Sequence, residues 1–340
     1  MIKRIYSWLF FIFFTLGYSQ QVFEVQNFSE KYYAKVSVQD SSEVFTPGVI
    51  TVYNKKTGKE LVKVESEELA PDFTTEGNIK ANILQLPYGE QSLLIYDDFN
   101  FDGISDLALQ DGQNSCYHGP SYQIYLGTKN GFIHNKKFTR LAQEYCGMFS
   151  YNKEEKKIYT MTKSGCCWHQ FSEFVIENNQ PVAVKIVEED AFKIPFYTST
   201  IKERKNGKML ESSETVMDKK DESIKSFLSF TINKNNKQLI LFNINNRTLN
   251  YAILKENDVV EFSYPIETIY QNPDFIYSAS ENVVSFKNKD AEYQIYDKDK
   301  EIGILINIDG KTYNWKGNKA TQQGSLKKLL EINLDNVVIK

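Results

Sequence analysis

Histidine and cysteine are both scarce here, with three of the first and four of the second among 340 residues. So small a stock leaves little material for a multi-histidine metal cluster or an array of thiol ligands. An excess of one charge is lacking as well. The chain holds 40 Lys and Arg against 44 Asp and Glu, a formal net charge of −4. Nothing in that balance draws it to nucleic acid or to an anionic membrane surface. Apolar runs of spanning length are missing too: the longest, Ile5 to Leu16, covers about 12 residues where a transmembrane helix needs about 20. The sequence contains no GxSxG, no HExxH, no GxxxxGK[ST] loop and no GxGxxG after a strand. The most readable hydrolase, metalloprotease and nucleotide-binding classes are thereby removed.

What is present is a globular composition, 41% hydrophobic and 14% aromatic, which fits one large or two medium domains and excludes disorder, collagen and coiled coil. The first residues, MIKRIYSWLFFIFFTLGYSQQ, place Lys3 and Arg4 before the apolar run and the small residues Gly17 and Ser19 after it. That order is a secretory signal peptide over residues 1–19, cut after Ser19. No cysteine follows the run, so a lipoprotein anchor is unsupported. The expected product is acidic, carries no transmembrane segment, and is exported to the periplasm or the exterior.

An oxidising compartment lets disulfides persist. Cys116, Cys146, Cys166 and Cys167 all lie in one segment of about 50 residues. Four cysteines allow three pairings. Joining the adjacent Cys166 and Cys167 to each other is geometrically awkward, so each is expected to reach a different partner among Cys116 and Cys146. A zinc site built from these thiols with His118 or His169 is the rival reading, but CysCys adjacency lacks the CxxC spacing that turns two thiolates to one ion. The run Cys166-Cys167-Trp168-His169 offers a thiol beside a base only in sequence, because neighbours on a strand face opposite sides.

Beyond the signal peptide the chain consists of short runs that alternate apolar and polar residues between turn signals. Leu249, Tyr251 and Ile253, then Val260, Phe262 and Tyr264, then Ile304, Ile306 and Ile308 are examples. Thr57-Gly58, Asn206-Gly207 and Asp309-Gly310 mark tight turns between such runs. One short helix is expected near the end, with Ser325 as its cap and Leu326, Leu329 and Leu330 on one side. The fold class predicted is all-β, antiparallel and hairpin-rich, in two domains. A charged stretch at about 202–225 reads as a boundary or an exposed hairpin. It suggests an N-terminal β domain of residues 20–195 and a C-terminal β domain of residues 196–340.

The most informative stretch is SLLIYDDFNFDGISDLALQDG. Asp98, Asn100, Asp102 and Asp106 occupy positions 1, 3, 5 and 9 of a loop, with Gly103 at position 6 and Ile104 at position 7. That is oxygen-ligand spacing for calcium, a hard cation that takes many oxygens from a tightly bent chain. Ile104 would offer its backbone carbonyl while its side chain packs inward, and Asp97 could assist from outside. Carboxylates about 5 Å apart repel by roughly 3 kcal/mol per pair at an effective dielectric near 20, a penalty a divalent ion removes. Position 12 is Leu109, and both flanks read as strand, so this is no EF-hand. The stretch DFNFDGISDLAL resembles the calcium hairpin of FG-GAP or VCBS repeats, the type found in integrin α-chain propellers. The resemblance covers about 20 residues. It implies calcium held by the four aligned side chains, with a Tyr-rich strand like Tyr122 to Gly127 and a turn like Gly131-Phe132 completing the unit. A propeller needs several repeats, and one strong loop is present. The nearest second candidate, Asp297-Lys298-Asp299-Lys300-Glu301, reads as a solvated turn. The whole pattern resembles exported bacterial proteins that carry a single such hairpin, and that likeness implies no activity.

The function expected is therefore an exported, calcium-stabilised protein that binds an envelope protein or a glycan, with Ca2+ as a structural ion. The alternatives are a secreted hydrolase with structural calcium and a periplasmic enzyme inhibitor. A cleft lined by acids outside residues 97–106 would favour the hydrolase.

Overall fold

The structure, a computed structural model, describes residues 20–25, 27–86, 89–265 and 273–340. The expected signal peptide, residues 1–19, lies outside them. By its contacts the chain divides into two compact units. The first holds the residues up to Thr162 with Phe171–Val184, and the second Lys163–Gln170 with Lys185–Lys340. The sequence reading places its boundary at 195.

In the first unit, β1 (Gln21–Val25), β2 (Tyr32–Val38), β3 (Thr46–Asn54) and β4 (Glu60–Leu69) form one antiparallel sheet in that order. A second sheet follows with β5 (Leu94–Asp97), β6 (Asp106–Ser115), β7 (Gly119–Thr128) and β8 (Gly131–His134). This second sheet is covered on both faces. Leu94, Leu107 and Leu109 share a core with Val36, Ile50 and Val64 of the first sheet. Ile95, Ala108, Tyr122 and Ile124 share another with Phe138 and Leu141. Two-sided burial explains why SLLIY and DLAL read as unbroken apolar runs instead of alternating. Phe138 and Leu141 belong to α1 (Lys136–Leu141), a helix the periodicity did not signal because it is under two turns long. Asn135 caps it, accepting from the amides of Lys137 and Phe138. The short strands β9 (Ser150–Asn152) and β10 (Lys157–Ser164) pair antiparallel.

The chain passes between the units three times, within β10, within β11 (Trp168–Glu177) and within β12 (Gln180–Lys193). In the second unit β12 continues into a meander with β13 (Phe196–Lys205) and β14 (Lys208–Met217). The charged stretch is thus an exposed hairpin, turned at Asn206-Gly207, both at positive φ. Ten further strands make one sheet: β15 (Ile224–Ile232), β16 (Gln238–Ile244), β17 (Thr248–Leu254), β18 (Val260–Tyr264), β19 (Phe275–Ser278), β20 (Val283–Asn288), β21 (Ala291–Asp297), β22 (Ile302–Ile308), β23 (Lys311–Gly324) and β24 (Val337–Ile339). Pairing is antiparallel except that β24 runs parallel to β19. Leu249, Tyr251 and Ile253 of β17 face the main core, while Ala252 and Leu254 enter a second core with Met217 and Phe242, so this strand too is buried on both sides. The expected terminal helix is present as a 3-10 helix, Leu326–Glu331, with the Ser325 hydroxyl accepting from the Lys327 amide. Three residues per turn align Leu326 with Leu329 and carry Leu330 outward, where it is 56% exposed. Among the described residues no helix is long and apolar enough to cross a membrane.

Candidate functional site

The loop between β5 and β6 is built on a single carboxylate. Asp106, fully buried at the start of β6, accepts from the amides of Phe99 (2.7 Å) and Asn100 (3.3 Å) through Oδ2, and from Gly127 of β7 (2.7 Å) through Oδ1. It ties the start of the loop to the next strand. Burial pushes its carboxyl up to about 7, against the pull of those three amides, and the charge of Asp98 adds to the rise.

Above this anchor the first half of the loop curls inward. The Asp102 amide donates to Asp98 Oδ1 at 3.1 Å and to Asn100 Oδ1 at 3.2 Å, so the oxygens at positions 1 and 3 meet at position 5. The Gly103 amide donates to Asp98 Oδ2 (2.8 Å) and the Ile104 amide to Asp102 Oδ1 (2.8 Å). Asn100 Nδ2 donates to Asp102 Oδ2 at 2.9 Å. The bend itself rests on Gly103 at φ +87, open backbone that a side chain would strain.

The structure therefore brings Asp98, Asn100 and Asp102 together and employs Asp106 beneath them. Among the described residues no group of three or more His, Cys, Asp and Glu side chains stands close enough to hold a metal as arranged. The donor set nevertheless fits a hard cation. An ionised carboxylate has about four lone-pair positions, and the amides engage only some of those on Asp98 and Asp102. Two details differ from expectation. Ile104 is 37% exposed and lies across Gly127 instead of packing inward. Asp97 is already engaged, by the Lys153 ammonium and by the Tyr151 hydroxyl at 2.6 Å. Burial pushes Asp97 up, but those two donors outweigh it and hold the carboxyl below its ordinary range. Sequence reasoning missed Lys153 and Tyr151, which no local spacing connects to the loop. The role of Gly127 as close neighbour of the loop was equally unmarked.

The disulfide expectation is corrected. Cys116 pairs with Cys146, and Cys166 with Cys167. The expectation rested on the awkward geometry of joining adjacent residues, yet the bridge forms. Gly165, Cys166 and Cys167 form the turn between β10 and β11, and all four sulfurs are paired.

A cleft of about 720 Å³ opens in the first unit, lined among others by Glu65, Glu67, Glu68, Asp111 and Asn114. Asp111 is held by the Ser121 hydroxyl (2.6 Å) and by the amides of Gln123 (2.6 Å) and Gln143 (2.5 Å). Glu65 pairs with Lys63 at 2.6 Å and Glu68 with His118 at 3.5 Å.

No protein-family model matches the sequence, and no curated protein matches it significantly. Among solved structures, the chain is similar to a Xanthomonas type IV secretion system related protein, at 22% identity over 56% of this chain and 92% of that one, with a TM-score of 0.45. It is also similar to a candidate 6-phosphogluconolactonase from Bacteroides uniformis, at 9% identity over 89% of this chain and 85% of that one, with a TM-score of 0.22. A third is TolB from Acinetobacter baumannii, at 8% identity over 88% of this chain and 66% of that one, with a TM-score of 0.19. At this level of similarity none of the three carries an argument about function.

Proposed function

We propose that this chain is an exported β protein whose β5–β6 loop captures calcium, and that it works by binding an envelope protein or a glycan. The observation that supports the reading is the meeting of Asp98 Oδ1 and Asn100 Oδ1 at the Asp102 amide, which turns three oxygen-bearing side chains to one bend. Asp98, Asn100 and Asp102 would hold the ion together with the Ile104 carbonyl, and Asp106 would add its charge from below. Calcium supplies positive charge that offsets the crowded acids, and so fastens β5 to β6. The test is calorimetric titration of calcium into the full chain without its signal peptide, with melting in calcium and in chelator. The parent is expected to melt higher in calcium. Asp102→Ala is expected to melt in calcium where the parent melts in chelator, and to be unmoved by chelator. Equal melting of the parent in both buffers overturns the reading.

One observation favours the hydrolase as a second reading, namely the acidic cleft outside the loop. Within that cleft Asp111 is held in place by three donors, the Ser121 hydroxyl and the side-chain amides of Gln123 and Gln143. Glycan turnover by the parent that Asp111→Asn abolishes would establish the hydrolase in place of the binding protein.

A further inference from the structure

The Cys166–Cys167 bridge is hard to explain as a structural staple. A disulfide stabilises a fold chiefly by closing a loop in the unfolded chain, more so the longer the loop. Cys116–Cys146 closes one, with a sequence separation of 30. Cys166–Cys167, with a separation of 1, closes almost none. Adjacency also constrains it. A trans peptide fixes neighbouring Cα atoms about 3.8 Å apart, and here they are 3.7 Å apart, whereas disulfides ordinarily join Cα atoms roughly 4.4–6.8 Å apart. Cys116 and Cys146, at 4.8 Å, fall inside that window. Bridges outside it are more readily reduced. Cys166 is exposed at the tip of the β10–β11 turn while Cys167 is half-buried, its carbonyl accepting from the Ala191 amide at 2.8 Å. An attacking thiolate thus meets Cys166 at an exposed turn tip, while the backbone of the departing Cys167 is held.

From this we infer that Cys166–Cys167 is a thiol–disulfide exchange site for a dithiol, and that Cys116–Cys146 is the structural bridge. One thiolate of the dithiol attacks Cys166 Sγ; the new S–S bond forms as the Cys166–Cys167 bond breaks, and Cys167 leaves as thiolate. The second thiolate then attacks the dithiol's own sulfur in the mixed disulfide and releases Cys166. The dithiol is oxidised by two electrons, the cysteine pair is reduced, and the dithiol's two protons pass through water to Cys166 and Cys167. The inference is independent of calcium.

The test uses the full chain without its signal peptide, equilibrated over a series of reduced to oxidised dithiothreitol, quenched in acid, labelled with N-ethylmaleimide and read by peptide mass. Cys166 and Cys167 are expected to take label at a reduced-to-oxidised ratio at least tenfold lower than Cys116 and Cys146 require, about 30 mV for a two-electron couple. Opening of both pairs together, or of Cys116–Cys146 first, overturns the proposal. The double variant Cys166→Ser, Cys167→Ser is expected to keep the parent's circular dichroism and melting temperature. Loss of fold in that variant would make the bridge structural and overturn the proposal as well.

Discussion

Asp297 shows how far one residue's role can depart from its local sequence. Flanked by Lys298, Asp299 and Lys300, it reads as part of a solvated turn, yet it is only 6% exposed. Its Oδ1 accepts from Lys319 Nζ (3.0 Å) and Gln322 Nε2 (3.0 Å), and its Oδ2 from the Ser325 hydroxyl (2.9 Å) and the Leu326 amide (3.3 Å). It therefore joins β21 to the end of β23 and to the terminal 3-10 helix. Burial raises its carboxyl, but Lys319 and Ser325 outweigh burial and hold it below the usual carboxylate range. A carboxyl depressed in the fold contributes stability above its unfolded value near 4, and that contribution is lost as pH falls through the folded value. Asp297→Ala is expected to cost about 2–3 kcal/mol at pH 7. That is less than the 3–5 kcal/mol typical of breaking a fully buried pair, because Lys319 is partly exposed and can rehydrate. Urea unfolding checks this, and the gap between parent and variant should narrow at pH 3. Gly127 is a second residue whose role is spatial. A Cβ there would fall on the Ser105 carbonyl and 2.8 Å from Ile104 Cγ2. Gly127→Ala must push β7 off the loop and loosen its amide from Asp106. The expected loss is about 1–3 kcal/mol in thermal melts, together with weaker calcium binding.

Elements with regular strand periodicity and tight turns were legible, and elements shorter than a period or buried twice over were not. Asp309-Gly310, at φ of 47° and 70°, is the two-residue turn that its composition demands, and it sets the β22–β23 register. β17 yielded its core face, Leu249, Tyr251 and Ile253, but not its second buried face, since Asn250 and Ala252 look polar or neutral while still being enclosed. α1 had no legible period at six residues, and its cap, Asn135, stands before two lysines and not before an apolar run that would mark a helix start. Asn135→Ala is expected to cost about 1 kcal/mol, the usual worth of such a cap, measured by denaturant midpoint at constant slope. At the candidate site, spacing sufficed for Asp98, Asn100 and Asp102, which stand within one bend. The engagement of Asp97 by Lys153 and Tyr151 was hidden because it joins residues more than fifty positions apart.

On the scale of the whole molecule, the devices described above are distributed unequally. The β5–β6 loop and Cys116–Cys146 belong to the first unit, whose cores include Leu109 and Tyr122; the Asp297 hub belongs to the second, with its main core around Tyr251 and Ile304. A ligand stabilises only the state that binds it, by about 2.7 kcal/mol at a hundredfold excess over Kd. In a unit of this size each kcal/mol moves the melting temperature by about 2–4 °C, so saturating calcium should raise the first unit's transition by roughly 5–11 °C. Scanning calorimetry of the full chain is expected to resolve two transitions. Chelation should move one of them and Asp297→Ala the other, with the two effects adding in combination because the sites share no partner among the described residues. A single transition that both perturbations lower by similar amounts would mean that the chain unfolds as one cooperative body, in which case calcium captured at one bend stabilises every strand of the protein.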